Sequence, residues 1–239
     1  MFESLSARAP GRWWSAAALA FSIGGLPSFS AAAEGPASPG GTSFTARPDA
    51  LLYARVYRNS SGVLSSFSHD HVIRAGAFTA SIHFDASAPA RCSATLRIAV
   101  KSLMVDEPSM RQRAGLSTPL DAADRKTVRQ RMLGEDQLDA EHHPEIQVLL
   151  NGCVESATRG RYHADVSFTI RGKTVRRERA ARITFSGNQL STQGSLRLSH
   201  AAFGIQPYSA WLGSVGNAEP IDFVWALQAD QVTESPAKP

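Results

Sequence analysis

The sequence predicts an all-β domain, an antiparallel sandwich or barrel with one short helix, and three observations carry that prediction. The first is alternation. Tyr162, Ala164, Val166, Phe168 and Ile170 fall on one face of an extended segment, with His163, Asp165, Ser167 and Thr169 on the other, the period-2 signature of a half-buried strand. The second is turn chemistry, in Arg171-Gly172-Lys173 and Ser186-Gly187-Asn188, where Gly or Asn accepts the positive φ of a tight reversal. The third is a single capped helical stretch, residues 118–134, that breaks the alternation. Strands recurring at roughly 10–20 residues with one apolar face belong to sandwiches and barrels.

The chain has 239 residues and is 43% hydrophobic, enough for one large domain with a sizeable core. Residues 1–33 read as a signal peptide: Arg8 and Arg12 flank an apolar run from Ala16 to Leu26, and Ala31-Ala32-Ala33 offers a small-residue cleavage site. That run is shorter than the ~20 residues of a membrane span, so export to a periplasm is expected. Residues 34–47 are rich in Gly, Pro and Ser and read as a flexible linker, and residues 231–239 as a disordered tail. Residues 48–230 show no internal repeat and no domain boundary. The net charge of +4 is too weak to argue for nucleic acid, which requires clustered cations.

Within the domain, Ser68-His69-Asp70-His71 leads through Gly76 into Phe78, Ala80, Ile82 and Phe84, a clean apolar face. Leu96, Ile98 and Val100 alternate with Thr95, Arg97 and Ala99. The helix is expected to start at Thr118 as N-cap with Pro119 at N1 and Asp121 at N3, to run over Ala122–Leu133, and to stop at Gly134. Its apolar stripe of Leu120, Val128 and Met132 is interrupted by Asp124 and Arg131, which suits a helix laid across one end of a barrel. Further strands are carried by Ile146, Val148 and Leu150, by Leu196 and Leu198, and by Ile221, Phe223, Trp225 and Leu227.

Short motifs run in order from 52 to 230. Gly76-Ala77-Phe78 opens a strand, Ser102-Leu103 follows the next, and Arg131-Met132-Leu133 leads to His143-Pro144-Glu145-Ile146. Phe168-Thr169-Ile170-Arg171-Gly172-Lys173-Thr174 and Phe203-Gly204-Ile205 complete the set. In order and spacing the chain resembles the YceI-like family. The resemblance implies a lipocalin-like antiparallel eight-stranded β-barrel with a short helix between strands. It also implies an exported, non-enzymatic carrier or sequestering protein without a cofactor. The barrel would hold a long-chain amphiphile (an isoprenoid, a quinone or a fatty-acid derivative). The residues expected to face that ligand are Phe78, Ile82, Phe84, Leu96, Ile98, Val100, Val166, Phe168, Ile170, Phe223 and Trp225. Lys173 and the charged run Arg176-Arg177-Glu178-Arg179 depart from the family pattern. Transient membrane contact and a homodimer are compatible with this reading.

Two alternatives stay open on the residues alone. A small barrel can fill its interior with side chains, which would make a tunnel-less structural or interaction module. His69 and His71 share a face of an extended segment and, with His142, His143 or Asp70, offer nitrogen and oxygen ligands for zinc; spacing identifies no third ligand. Ser68, His69 and Asp70 include triad residue types, but adjacent strand side chains point apart. His83 and His163 fall on polar faces and are expected to meet solvent. Arg111 and Arg113, in the loop before the helix, are placed either at a head group or in solvent. Tyr208, Trp211 and Leu212 suggest an apolar rim. Cys92 and Cys153 are the only cysteines. A disulfide suits export, yet strand parity puts them on opposite faces unless Gly152 forms a bulge.

Overall fold

The fold is given by a computed structural model that describes residues 41–61, 67–210 and 214–232. Among these residues lie twelve strands: β1 Thr42–Ala46, β2 Leu51–Arg58, β3 His71–Arg74, β4 Phe78–Phe84, β5 Ser93–Ala99, β6 Met104–Val105, β7 Glu145–Glu155, β8 Arg161–Ile170, β9 Lys173–Ser186, β10 Gln189–Ser199, β11 Ser209–Ala210 and β12 Val215–Gln231. Two helices, α1 Pro108–Arg113 and α2 Ala122–Leu133, sit between β6 and β7.

Eight of these strands close into an antiparallel barrel in the order β1-β4-β5-β7-β8-β9-β10-β12, with β12 pairing back to β1 through Phe44–Gln231 and Thr45–Asp230. The lipocalin-like class expected from the sequence is the class observed. Beyond β1 the same edge of β12 pairs with β2, at Leu52–Trp225 and Val56–Ile221, and β3 and β6 branch outward from β2. Closure removes the unpaired sheet edges that invite aggregation. Pairing between β9 and β10 covers only Arg182–Ser186 against Gln189–Gln193.

The strand at Thr42–Ala46 lies inside the segment expected to be a linker. Its composition reads as flexible, but Phe44 is buried in the core opposite Ile82 and Gln231, and that burial outweighs weak local propensity. The expected signal peptide, and the tail beyond Val232, lie outside the described residues.

The helix occupies the expected span, Ala122–Leu133, but its N-cap is Asp121, whose carboxylate accepts from the Asp124 N–H at 2.8 Å. Thr118 instead gives its carbonyl to Arg111. The shorter α1 falls in what the sequence presented as loop. Val100 leaves the strand pattern by entering a 3-10 turn, Val100–Ser102, and packs with Leu103 and Ala140 beneath α2.

The cysteine parity conflict is resolved by a bulge at Gly152. Asn151 pairs with Asp165 and Cys153 with Ala164, so Gly152 is skipped in the ladder, with φ +71°. The extra residue turns Cys153 inward. Cys92 and Cys153 then form a disulfide, with Cα atoms 5.7 Å apart, inside the buried core. At the other end of β4, a Cβ on Gly76 would lie 2.3 Å from the Ser102 carbonyl oxygen. Ser102 Oγ accepts from Ala77 N–H at 2.8 Å, so this glycine permits the close backbone approach that opens the strand.

Candidate functional site

The inward faces of the strands enclose a cavity of about 570 Å³, within the range of about 300–1,000 Å³ typical of small-molecule sites. Of the residues expected to face a ligand, Ile82, Phe84, Leu96, Ile98, Val166, Phe168, Ile170, Phe223 and Trp225 border it. The ladder brings them together: Ile98 pairs with Ile146, Leu96 with Val148, and Val148 with Phe168. Phe168 in turn stacks at 6.2 Å from Phe223. Two expected residues do not border the cavity. Val100 has turned under α2, as described above. Phe78, at the first position of β4, belongs to the segment drawn against the Ser102 turn, and only Ala80, Ile82 and Phe84 of that face reach the cavity.

Leu52, Val56, Leu138, Tyr162 and Leu190 also line the wall. Leu52, Ala54 and Val56 alternate with Tyr53, Arg55 and Tyr57, a signal the same period-2 reading contained. One end of the cavity is bordered by Leu120 and by α2 through Thr127, Val128, Arg131 and Met132. That helix is tied down by Arg129, which donates to the Leu103 carbonyl at 3.0 Å and to the Lys101 carbonyl. Arg131 donates to Tyr208 Oη and lies 4.9 Å from the centroid of its ring, so the expected rim tyrosine is held by the helix. Phe67, 61% exposed, borders the same opening. Trp211 and Leu212 lie outside the described residues.

His69 and His71 both border this end. His71 Nδ1 stands 2.6 Å from Asp106 Oδ2. Asp106 is fully buried, at 0% exposure, with φ +52°. Its Oδ1 accepts from the Val72 N–H at 3.0 Å and from Arg111 at 2.8 Å. Burial pushes the Asp106 carboxyl up, but the His71, Val72 and Arg111 contacts outweigh it and hold the group below the usual carboxylate range. Arg111 is 5% exposed and also donates to the carbonyls of Asp70 and Thr118. It is therefore a buried structural cation, neither the head-group residue nor the solvated one that the sequence offered. Arg113 is exposed.

The other polar expectations divide. His163 is partly exposed and lies 3.2 Å from Glu178. His83 is half-buried, and among the described residues its buried Nε2 has no hydrogen-bond partner. His142 and His143 gather on Asp139, at 2.8 and 3.9 Å, instead of on His69 and His71. Among the described residues no group of three or more His, Cys, Asp or Glu side chains is placed to hold a metal ion. Ser68 is buried, its Oγ accepting from the Gly216 N–H at 3.0 Å.

A sequence model of the YceI-like domain matches residues 57–227. The chain belongs to the YceI-like family. Its fold is shared by solved structures of low identity. Burkholderia cenocepacia BcnA is 17% identical, with a TM-score of 0.54 over 75% of this chain and 95% of that one. A polyisoprenoid binding domain from Saccharophagus degradans, implicated in plant cell wall breakdown, is 10% identical, with a TM-score of 0.53 over 80% of this chain and 99% of that one. A Campylobacter jejuni YCEI protein carrying a monobromobimane guest is 12% identical, with a TM-score of 0.51 over 67% of this chain and 85% of that one. Comparison with curated proteins gives no match. Against this YceI-like background the charged run on β9 has a visible consequence. Arg179 borders the cavity, and its Nε is buried without a hydrogen bond.

Proposed function

We propose that this YceI-like domain binds a long-chain amphiphile, an isoprenoid, quinone or fatty-acid derivative, as an exported, periplasmic carrier or sequestering protein. The observation that carries this reading is the open, mostly apolar interior of a closed barrel. Side chains alone do not fill it, as they would in a structural module. An isoprenoid or acyl tail has almost nothing to hydrogen-bond, so its site is a volume of apolar wall, worth ~0.8 kcal/mol per buried methylene. At the end bordered by α2, His69, His71, Arg131 and Tyr208 offer polar groups to a head group, which supports a tail-in, head-out arrangement. Membership of the YceI-like family supports the same reading, as does the polyisoprenoid-binding description of the Saccharophagus relative. Export rests on the composition of residues 1–33.

Ala94 tests it. This residue lies on the inward face of β5 between Ile82 and Leu150 and borders the cavity. Ala94→Trp places an indole in the space reserved for the tail. Displacement of an apolar fluorescent probe by geranylgeraniol should be saturable in the wild type and weakened at least tenfold in the variant, with the far-ultraviolet spectrum unchanged. Equal displacement in both proteins contradicts binding in the barrel.

A further inference from the structure

A cavity for an apolar tail leaves the loudest motif of the sequence, His69-Asp70-His71, unused, and the structure puts its second histidine at the mouth of that cavity. Asp106 and Arg111 border a second, smaller depression with Pro119 and Leu116. His71 borders the cavity itself. The imidazole thus contacts both, its Nδ1 2.6 Å from the buried carboxylate, which leaves Nε2 as the ring nitrogen available to the cavity. Nε2 makes no hydrogen bond to a described residue.

The protonation pattern follows from the partners. An ionised carboxylate only accepts, so the proton between His71 and Asp106 resides on Nδ1. Arg111, 2.8 Å from the other carboxylate oxygen, already balances the Asp106 charge. The tautomer with its proton on Nδ1 is the one the Asp106 contact selects in the imidazole. Its Nε2 is then an acceptor without a donor. Two features make this a built site: the carboxylate is held from three directions, and Asp106 keeps a left-handed backbone that non-glycine residues seldom adopt. At the same end, Tyr208 Oη already accepts from Arg131 and Ser68 Oγ from the Gly216 N–H.

We propose that His71 is the head-group site of the barrel, its Nε2 accepting a hydrogen bond from the hydroxyl of an isoprenoid alcohol or phenolic amphiphile whose tail fills the cavity. The inference rests on the tail-binding reading above, and Asp106 and Arg111 act in it as positioning residues.

Geranylgeraniol and its methyl ether share one tail and differ in a single O–H, so a titration of the purified protein with each isolates the head group. The alcohol should bind roughly tenfold tighter than the ether, since an unmade buried hydrogen bond costs of order 1–3 kcal/mol. His71→Phe should abolish the preference for the alcohol over the ether, whatever the change in affinity for the shared tail. In the wild type, the nitrogen-15 resonance of His71 Nε2 should move with the alcohol and stay in place with the ether, a readout independent of any variant. Equal affinities for alcohol and ether, an unmoved Nε2 resonance, or a preference that survives in His71→Phe overturns this assignment while leaving tail binding intact. Failure of both probes to bind overturns tail binding and this assignment together.

Discussion

Asp106 is the residue on which the mouth of the barrel depends. It carries a full charge at 0% exposure and is tolerable only because Arg111, His71 and the Val72 N–H all face it. Removing one member of such a pair strands the other: Arg111→Met should cost about 3–5 kcal/mol in urea unfolding. The double variant Arg111→Met with Asp106→Leu should cost less than the sum of the single changes. A second carboxylate responds to acid. Hydrogen bonds from Ser87 and then the Arg91 pair hold Asp85 down to about 2. A depressed folded-state value means its contribution is present above the ordinary value of 3.8 and is lost as pH falls from there toward 2. The thermal midpoint should therefore drop between about pH 4 and 2, and Asp85→Asn should flatten that part of the profile. At this scale the sequence was least legible. Arg111 and Asp106 lie in non-periodic sequence, and a pairing that depends on chain reversal leaves no mark in spacing. His71 was visible as a residue type, but its partner was not.

Elements were far more legible, because burial of one sheet face writes itself as alternation. β7, β8 and β12 follow the apolar stripes of the sequence, and Arg171-Gly172 makes the expected turn with φ values of +49° and +70°. α2 was shifted only at its cap, where the Asp121 carboxylate accepts from the Asp124 N–H, while Thr118 lies three residues earlier and gives its carbonyl to Arg111. β1, β3 and β6 left weaker traces, being short and fixed by neighbours distant in the chain. The disulfide shows how far parity can be carried. The conflict between Cys92 and Cys153 was readable, and so was Gly152 as the residue able to relieve it. That the bulge forms is decided by the ladder on both sides, through Asn151–Asp165 and Cys153–Ala164. The bond joins residues 61 positions apart, for which chain entropy gives a stabilisation of about 4 kcal/mol. Cys92→Ala with Cys153→Ala should lower the urea midpoint accordingly and leave the slope of the transition the same or larger. An unchanged midpoint in oxidised wild type and variant would show that the bridge contributes nothing.

For the whole molecule, strand closure, the family match and the cavity point the same way. The main core lies inside the eight paired strands, with smaller clusters under α1 and α2, and α2 borders one end of the interior. Large side chains such as Phe168, Phe223 and Trp225 narrow that interior without filling it. Most of the wall was legible from period-2 faces, and the miss at Val100 marks where a strand gives way to a turn that no alternation announces. Whether an interior is full or empty is a matter of summed volumes, which only the closed structure displays. The most direct measurement is native mass spectrometry of the protein purified from its native host, followed by organic extraction. The account predicts a stoichiometric long-chain lipid that Ala94→Trp protein lacks. Recovery of apo protein alone, with no uptake of added isoprenoid, would contradict it.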